Sequence, residues 1–292
     1  MVLFQLPYSL KFGFHFNKNV DCNTSWIYYR LFENTKPIDV AFIGTSHTGC
    51  GVNDSLIEQK VDRLAVANLA YCTKGRNIHY LVTKQLIETK KPKIIFLEVM
   101  EYETVSSHKD FPLIADNEAL INSFSMHNLD FYSDFVSGLK YRFYFNRNEL
   151  KNSNKYKAPL NSKEDFNYTP FHFTADSLFL AKSFANNQKK YKQQSESSLT
   201  TINYSFPESY AKKIAELAKR NGIKIYFLYL PSLGNIAQRP LNMKFYKSLG
   251  EVLIPPKSIY YDKSKWVDGE HFNYEGSKVL SNWLADVITQ NR

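Results

Sequence analysis

The feature that most restricts the fold of this chain is a rhythm. Short apolar runs end abruptly in small or polar residues and are separated by stretches of helical spacing. Ile38–Ile43, Leu64–Ala70 and Ile94–Leu97 are such runs. Near-continuous apolar character marks strands covered on both faces. After the first run, Asn53, Asp54 and Ser55 supply cap-type residues, and Leu56, Ile57 and Val61 an apolar stripe, which predicts a helix over about 55–61. After the second, Leu81, Val82, Leu86 and Ile87 predict a helix over 78–90, and Pro92 follows it. Strand–helix alternation of this kind calls for a parallel sheet with right-handed crossovers.

The rhythm stops after the third run and resumes about a hundred residues later. Pro207 suits the first turn of a helix carrying Tyr210, Ile214, Leu217 and Ala218 on one face, with Gly222 closing it. Ile223–Leu230 reads as a strand, Met243–Leu249 as a helix and Ser258–Asp262 as a last short strand. Tyr274–Ile288 reads as a closing helix with Val279, Leu280, Trp283, Leu284 and Val287 buried. The expected fold is α/β: a three-layer α/β/α sandwich with a central parallel sheet, forming one domain over 1–292. Residues 1–37 form an irregular lead-in, with Ile27, Tyr28, Leu31 and Phe32 at helical spacing. Residues 104–206 are rich in Asn, Ser, Lys, Tyr and Phe, with polar stretches at Asn146–Ser162 and Asn186–Thr200. They read as a largely helical insertion, placed like a cap over the sheet's carboxyl edge. Their histidines, His108, His127 and His172, lack metal spacing and read as structural.

Two stretches carry chemistry. The first strand runs into Gly44-Thr45-Ser46-His47-Thr48, where Gly44 allows a sharp turn. Ser46 then lies at the carboxyl end of a strand, where open α/β sheets bind ligands. It is either a nucleophile served by nearby backbone N–H groups or a loop serine that caps a helix. Near the other end stands Asp268-Gly269-Glu270-His271. A carboxylate three residues before a histidine can fold back onto the imidazole, with Gly269 easing the turn. It would fix the tautomer and leave the second nitrogen as a base.

A serine after the first strand and Asp-x-x-His before the last helix, in that order, resemble the SGNH (GDSL-like) hydrolase superfamily. Gly44-Thr45-Ser46 is similar to its first block, usually Gly-Asp-Ser, and Asp268 to His271 is similar to its last. The resemblance implies a flavodoxin-like sheet, Ser46 as nucleophile, His271 as general base and Asp268 as its orienting partner. It implies that the oxyanion is held by the amide of Ser46 and by a glycine of the second loop. Gly75 is the matching residue, or else a turn glycine. Lys74 and Arg76 flank it and would make the pocket rim cationic, with His47 beside the nucleophile. The third block departs from the family: Glu98-Val99-Met100-Glu101 stands where Gly-x-Asn-Asp is usual, so the donor asparagine is missing. Glu98 or Glu101 would bind a sugar hydroxyl, or would simply pair with lysines.

The expected activity is removal or transfer of an acyl group on a carbohydrate through a Ser-His-Asp triad, with no cofactor and no metal. The other reading is an inactive glycan-binding or polysaccharide-assembly scaffold. Gly44, Gly49 and Gly51 fit neither phosphate-loop spacing, which disfavours a nucleotide site. The net charge of +9 favours acidic partners, but the charges are dispersed rather than gathered in a tract, which disfavours nucleic acid. With 20 tyrosines and 22 phenylalanines there are aromatic faces to spare for sugar rings. A polysaccharide ester is the expected substrate, and the resemblance adds membrane-associated acylation machinery as a partner and an envelope-side location. No stretch is long and apolar enough to span a membrane, and Met1–Leu10 lacks the basic start of a secretory signal. Cys22, Cys50 and Cys72 have no metal spacing; they are free thiols, or Cys50 and Cys72 pair.

Overall fold

Five parallel strands form the central sheet: β1 (Val40–Ile43), β2 (Val66–Asn68), β3 (Ile94–Val99), β4 (Lys224–Tyr229) and β5 (Glu251–Leu253), in the order β2-β1-β3-β4-β5. This computed structural model describes residues 8, 13, 24–100, 103–151, 166–168, 170–196, 202–235 and 239–291. The helices, in chain order, begin with α1 (Thr24–Tyr28), α2 (Ser46–Gly51), α3 (Asp54–Lys60) and α4 (Arg76–Thr89). Between β3 and β4 come α5 (Phe111–Ile114), α6 (Asn117–Asn122), α7 (Phe131–Lys151), α8 (Ser177–Glu196) and α9 (Ile202–Arg220). After β4 come α10 (Met243–Leu249), α11 (Lys257–Tyr260) and α12 (Tyr274–Gln290). None of the described helices is long and apolar enough to cross a membrane.

The strands sort their side chains by period two into two cores. Ala41, Ile43, Ile95, Leu97 and Phe227 face α4 and α9, whose Leu81, Leu86, Ala211 and Ile214 cover them. Val40, Phe42, Ile94, Phe96 and Tyr226 face α3 and α12, whose Ile57, Leu280, Leu284 and Ile288 cover them. On that second face Phe42, Phe96 and Tyr226 stack as a ladder across three strands, with centroids 4.7 and 5.1 Å apart. Helices on both faces of one parallel sheet make three layers. The strand order reverses direction between β1 and β3, and such a switch point leaves a crevice at the carboxyl ends of those two strands.

Several local expectations differ from the structure. Ser46–Gly51 is helical, so the nucleophile candidate opens a short helix before the one expected over 55–61. Pro207 lies inside α9 rather than at its first turn. The helix tolerates the one bond Pro removes because Phe206, Tyr210, Ala211 and Ile214 are buried along one side. Ser258–Asp262 is not a strand; Lys257–Tyr260 is a helical turn after Pro256. The sheet edge is instead completed by Glu251–Leu253, paired with β4 in the register Tyr226 to Glu251. Ile259 and Tyr260 bury in both readings, which is why an apolar run of that length does not distinguish strand from turn.

A buried polar cluster ties the first two strand–helix units together. Asp54 accepts from the amides of Asn68 (2.9 Å), Asn167 (3.2 Å) and Ser55 (3.2 Å). Asn68 donates its side-chain amide to the carbonyls of Thr48 (3.0 Å) and Val52 (2.7 Å). Burial pushes the Asp54 carboxyl up to about 6 despite those amide donors. A carboxyl raised above its unfolded value of 3.8 keeps its proton longer in the folded chain. Its contribution is therefore present below about pH 4 and fades as pH rises through about 6. Relative to Asp54→Asn, wild type is expected to lose roughly 3 kcal/mol between pH 4 and 7. Urea midpoints of the two proteins at both pH values check this; a constant gap would refute it.

Candidate active site

Both chemistry-bearing stretches reach the carboxyl edge of the sheet. Immediately after β1, Gly44 is not in the left-handed region. Its requirement is space rather than turning: a Cβ there would overlap Thr48 Oγ1 and the Glu98 carboxylate. Thr45 precedes α2 as its cap, and its side chain accepts from the amide of His47 at 3.3 Å. Glu98 Oε2 accepts from the amides of Thr45 (2.7 Å) and Thr48 (3.3 Å). The amides of Thr45, His47 and Thr48 are thus occupied. The amide of Ser46 makes no hydrogen bond among the described residues.

Ser46 Oγ lies 2.8 Å from His271 Nε2, although 225 residues separate them. His271 Nδ1 lies 2.9 Å from Asp268 Oδ2. Asp268 Oδ1 accepts from the amides of Glu270 and His271, both at 2.7 Å, so the carboxylate closes the turn that aims the ring. Burial alone would raise the Asp268 carboxyl, but His271 and those two amides outweigh it and hold it down at about 2. An anion at Nδ1 places the imidazole proton there and leaves the Nε2 lone pair facing the serine hydroxyl.

The turn is braced from three sides. Trp266 and Phe272 bridge across it with rings 4.2 Å apart, and Val267 N–H donates to the His271 carbonyl at 2.9 Å. The Gly269 carbonyl accepts from Leu233 N–H (3.0 Å) and from Asn187 Nδ2 of α8 (2.9 Å). Gly269 has no positive φ; a Cβ there would press on Ser183 and Asn187, so it too is a close-approach glycine. Asn273 caps α12 through Gly276 N–H at 3.1 Å and donates to Thr174 Oγ1 at 2.9 Å. The insertion therefore supports the histidine turn through Thr174 and Asn187.

The remaining candidates divide. His47 stands edge-on to His271, with centroids 5.6 Å apart. Its Nδ1 is 3.9 Å from Glu98 and its Nε2 is 3.9 Å from Glu270. Glu270 was not anticipated, although its place between Asp268 and His271 in one tight turn puts it beside the pair. His47, with Lys74 and Lys190 adding to it, holds the Glu270 carboxyl down at about 2 against the effect of burial. Lys74 is half-buried within reach of that carboxylate's field. Arg76 is not on the rim: it is 1% exposed, donates to the Glu98 carbonyl at 2.8 Å and pairs with Glu103. Glu103, four residues beyond the end of β3, draws that guanidinium inward. Glu98 is also misplaced by the sequence reading: it is 1% exposed and bonded to Thr45 and Thr48, so it meets neither a sugar nor a lysine. Glu101 lies outside the described residues.

Gly75 precedes α4 with φ +151, and His108 fills the space a side chain would need. Its amide makes no hydrogen bond among the described residues. His108 is structural: its ring meets Asp110 N–H (3.0 Å), the Cys72 carbonyl (2.8 Å) and Thr73 Oγ1 (2.6 Å), which pins the loop carrying Gly75. Cys50 and Cys72 are free, and Cys22 lies outside the described residues. Burial, with Asp268 and Glu98 nearby, pushes the Cys50 thiol up to about 12, far from a reactive thiolate. No group of His, Cys, Asp or Glu among the described residues could hold a metal ion. No protein-family model matches the chain, and no curated protein matches it.

Proposed function

We propose that this protein is a serine-dependent acyl-ester enzyme. The observation that carries this reading is the aligned pair of hydrogen bonds, 2.8 Å from Ser46 to His271 and 2.9 Å from His271 to Asp268. His271 Nε2 takes the hydroxyl proton as Ser46 Oγ attacks the ester carbonyl, and Asp268 stabilises the imidazolium. The amide of Ser46, with that of Gly75 as second donor, receives the developing oxyanion. His271 then protonates the departing alkoxide, leaving acyl-Ser46. Water or an acceptor hydroxyl gives its proton to His271 and attacks the acyl carbon, and Ser46 recovers its proton.

The substrate class we propose is a carbohydrate O-acyl ester, removed or transferred. Its support is the polar rim formed by His47, Glu270 and Lys74 around the serine, which offers both donors and acceptors to hydroxyl groups. The resemblance to SGNH enzymes points the same way, towards polysaccharide esters and membrane-associated acylation machinery.

Incubation with p-nitrophenyl acetate and with a fluorophosphonate tests the chemistry. The expected result is ester turnover and a covalent adduct on the peptide containing Ser46, found by mass spectrometry. Absence of turnover and of any adduct, in protein shown to be folded, would remove the basis for the reading.

A further inference from the structure

Glu98, expected to bind a sugar hydroxyl or pair with a lysine, is instead buried against the residues on either side of Ser46-His47. Its carboxylate accepts four hydrogen bonds, all from the two residues that bracket Ser46-His47. Thr45 gives its amide (2.7 Å) and hydroxyl (2.9 Å); Thr48 gives its hydroxyl (2.6 Å) and amide (3.3 Å). Four donors fill the acceptor capacity of a carboxylate, which is what makes its burial tolerable. Two further features of the chain serve the same contact. Gly44 leaves room for the carboxylate, since any side chain there would overlap it and Thr48. Arg76 donates to the Glu98 backbone carbonyl at 2.8 Å and so holds the end of β3 against the serine segment.

We infer that Glu98 is a positioning residue for the Ser46 nucleophile: it clamps Thr45 and Thr48 from below and fixes the hydroxyl of Ser46 against His271. The inference rests on the acyl-ester reading above. It also gives a role to the residue that opens the stretch departing from the resembling family's third block. Glu98 does not reach the ester; it determines where Ser46 Oγ stands. Displacing a reacting atom by about 1 Å can lower a rate about 100-fold without loosening substrate binding. The clamp depends on acceptor geometry more than on charge. In Glu98→Gln the amide oxygen can keep three of the four donors, and the Thr45 hydroxyl can turn to accept from the new NH2.

The test measures kcat and KM for p-nitrophenyl acetate, with active sites titrated by fluorophosphonate so that misfolded protein is not counted. Glu98→Ala is expected to lower kcat per titrated site about 100-fold with KM changed less than about twofold. Glu98→Gln is expected to restore kcat to within about fivefold of wild type, the conservative replacement keeping most of the clamp. Thr48→Val keeps the carboxylate and the side-chain shape and removes one arm. It guards against Glu98→Ala failing to fold, and its expected loss of kcat is about tenfold, again at constant KM. Wild-type kcat per site in both Glu98→Ala and Thr48→Val would overturn the inference while leaving Ser46 as nucleophile. A wild type that never acquires an adduct would overturn both.

Discussion

Ser46→Ala is expected to lower kcat for an activated ester by about 10^4-fold or more, leaving the melting temperature nearly unchanged. Among the described residues the hydroxyl bonds only His271 Nε2, so on the acyl-ester reading its removal deletes the nucleophile without stranding a buried donor. Ser46 opens α2, where alanine is compatible with helical backbone, and the cap is Thr45, which stays. A stability change within about 0.5 kcal/mol is therefore expected. The measurement is turnover at saturating ester together with thermal unfolding of both proteins. Turnover equal to wild type would show that Ser46 is not the nucleophile, whatever its geometry.

Asp268→Asn carries the second large effect, a loss of about 10^3- to 10^4-fold in kcat. Asparagine has nearly the shape of aspartate but only one oxygen, and three donors converge on the native carboxylate. If that oxygen keeps the amides of Glu270 and His271, the new NH2 faces His271 Nδ1. The ring proton is then driven to Nε2, and the nitrogen facing Ser46 can no longer accept. The same substitution has a stability signature. The native carboxyl is held down at about 2, below its ordinary 3.8, so its contribution is present above about pH 4 and is lost as pH falls towards 2. The wild type's advantage in melting temperature over Asp268→Asn should accordingly shrink between pH 6 and pH 3. A kcat within tenfold of wild type, or a pH-independent gap, would refute the assignment.

The parts of this molecule that were legible in its sequence are those set by a local pattern. Buried strands and their helices announce themselves by apolar runs and spacing, and β1 to β4 stand where those runs are. Asp268 and His271 were legible as a pair because they lie three residues apart and a single turn joins them. Ser46 was legible from its place after a strand, but its distance from His271 was not, because it depends on packing across the whole sheet. What escaped was decided by partners remote in sequence. Arg76 reads as a rim residue, and Glu98 as a carboxylate for a sugar hydroxyl or a lysine, because charge at a strand end or loop is usually solvated. Each turned inward to a partner, Thr45 and Thr48 in one case and Glu103 in the other. Glu270 escaped because nothing marks it except its neighbours. The exchange between Ser258–Asp262 and Glu251–Leu253 followed from β4, whose open edge takes whichever segment reaches it in register.

The 225-residue interval between Ser46 and His271 has a consequence for biosynthesis. A chain emerging from the ribosome completes β1, α2, β2, α4 and β3 within its first hundred residues, and with them the serine and the carboxylate beneath it. The imidazole is translated about 170 residues later and is held in place only when α8 meets Gly269 and α12 docks on the sheet. Throughout elongation the serine is present without a base. On the acyl-ester reading, the nascent chain is chemically silent, and the onset of reactivity coincides with closure of the second core.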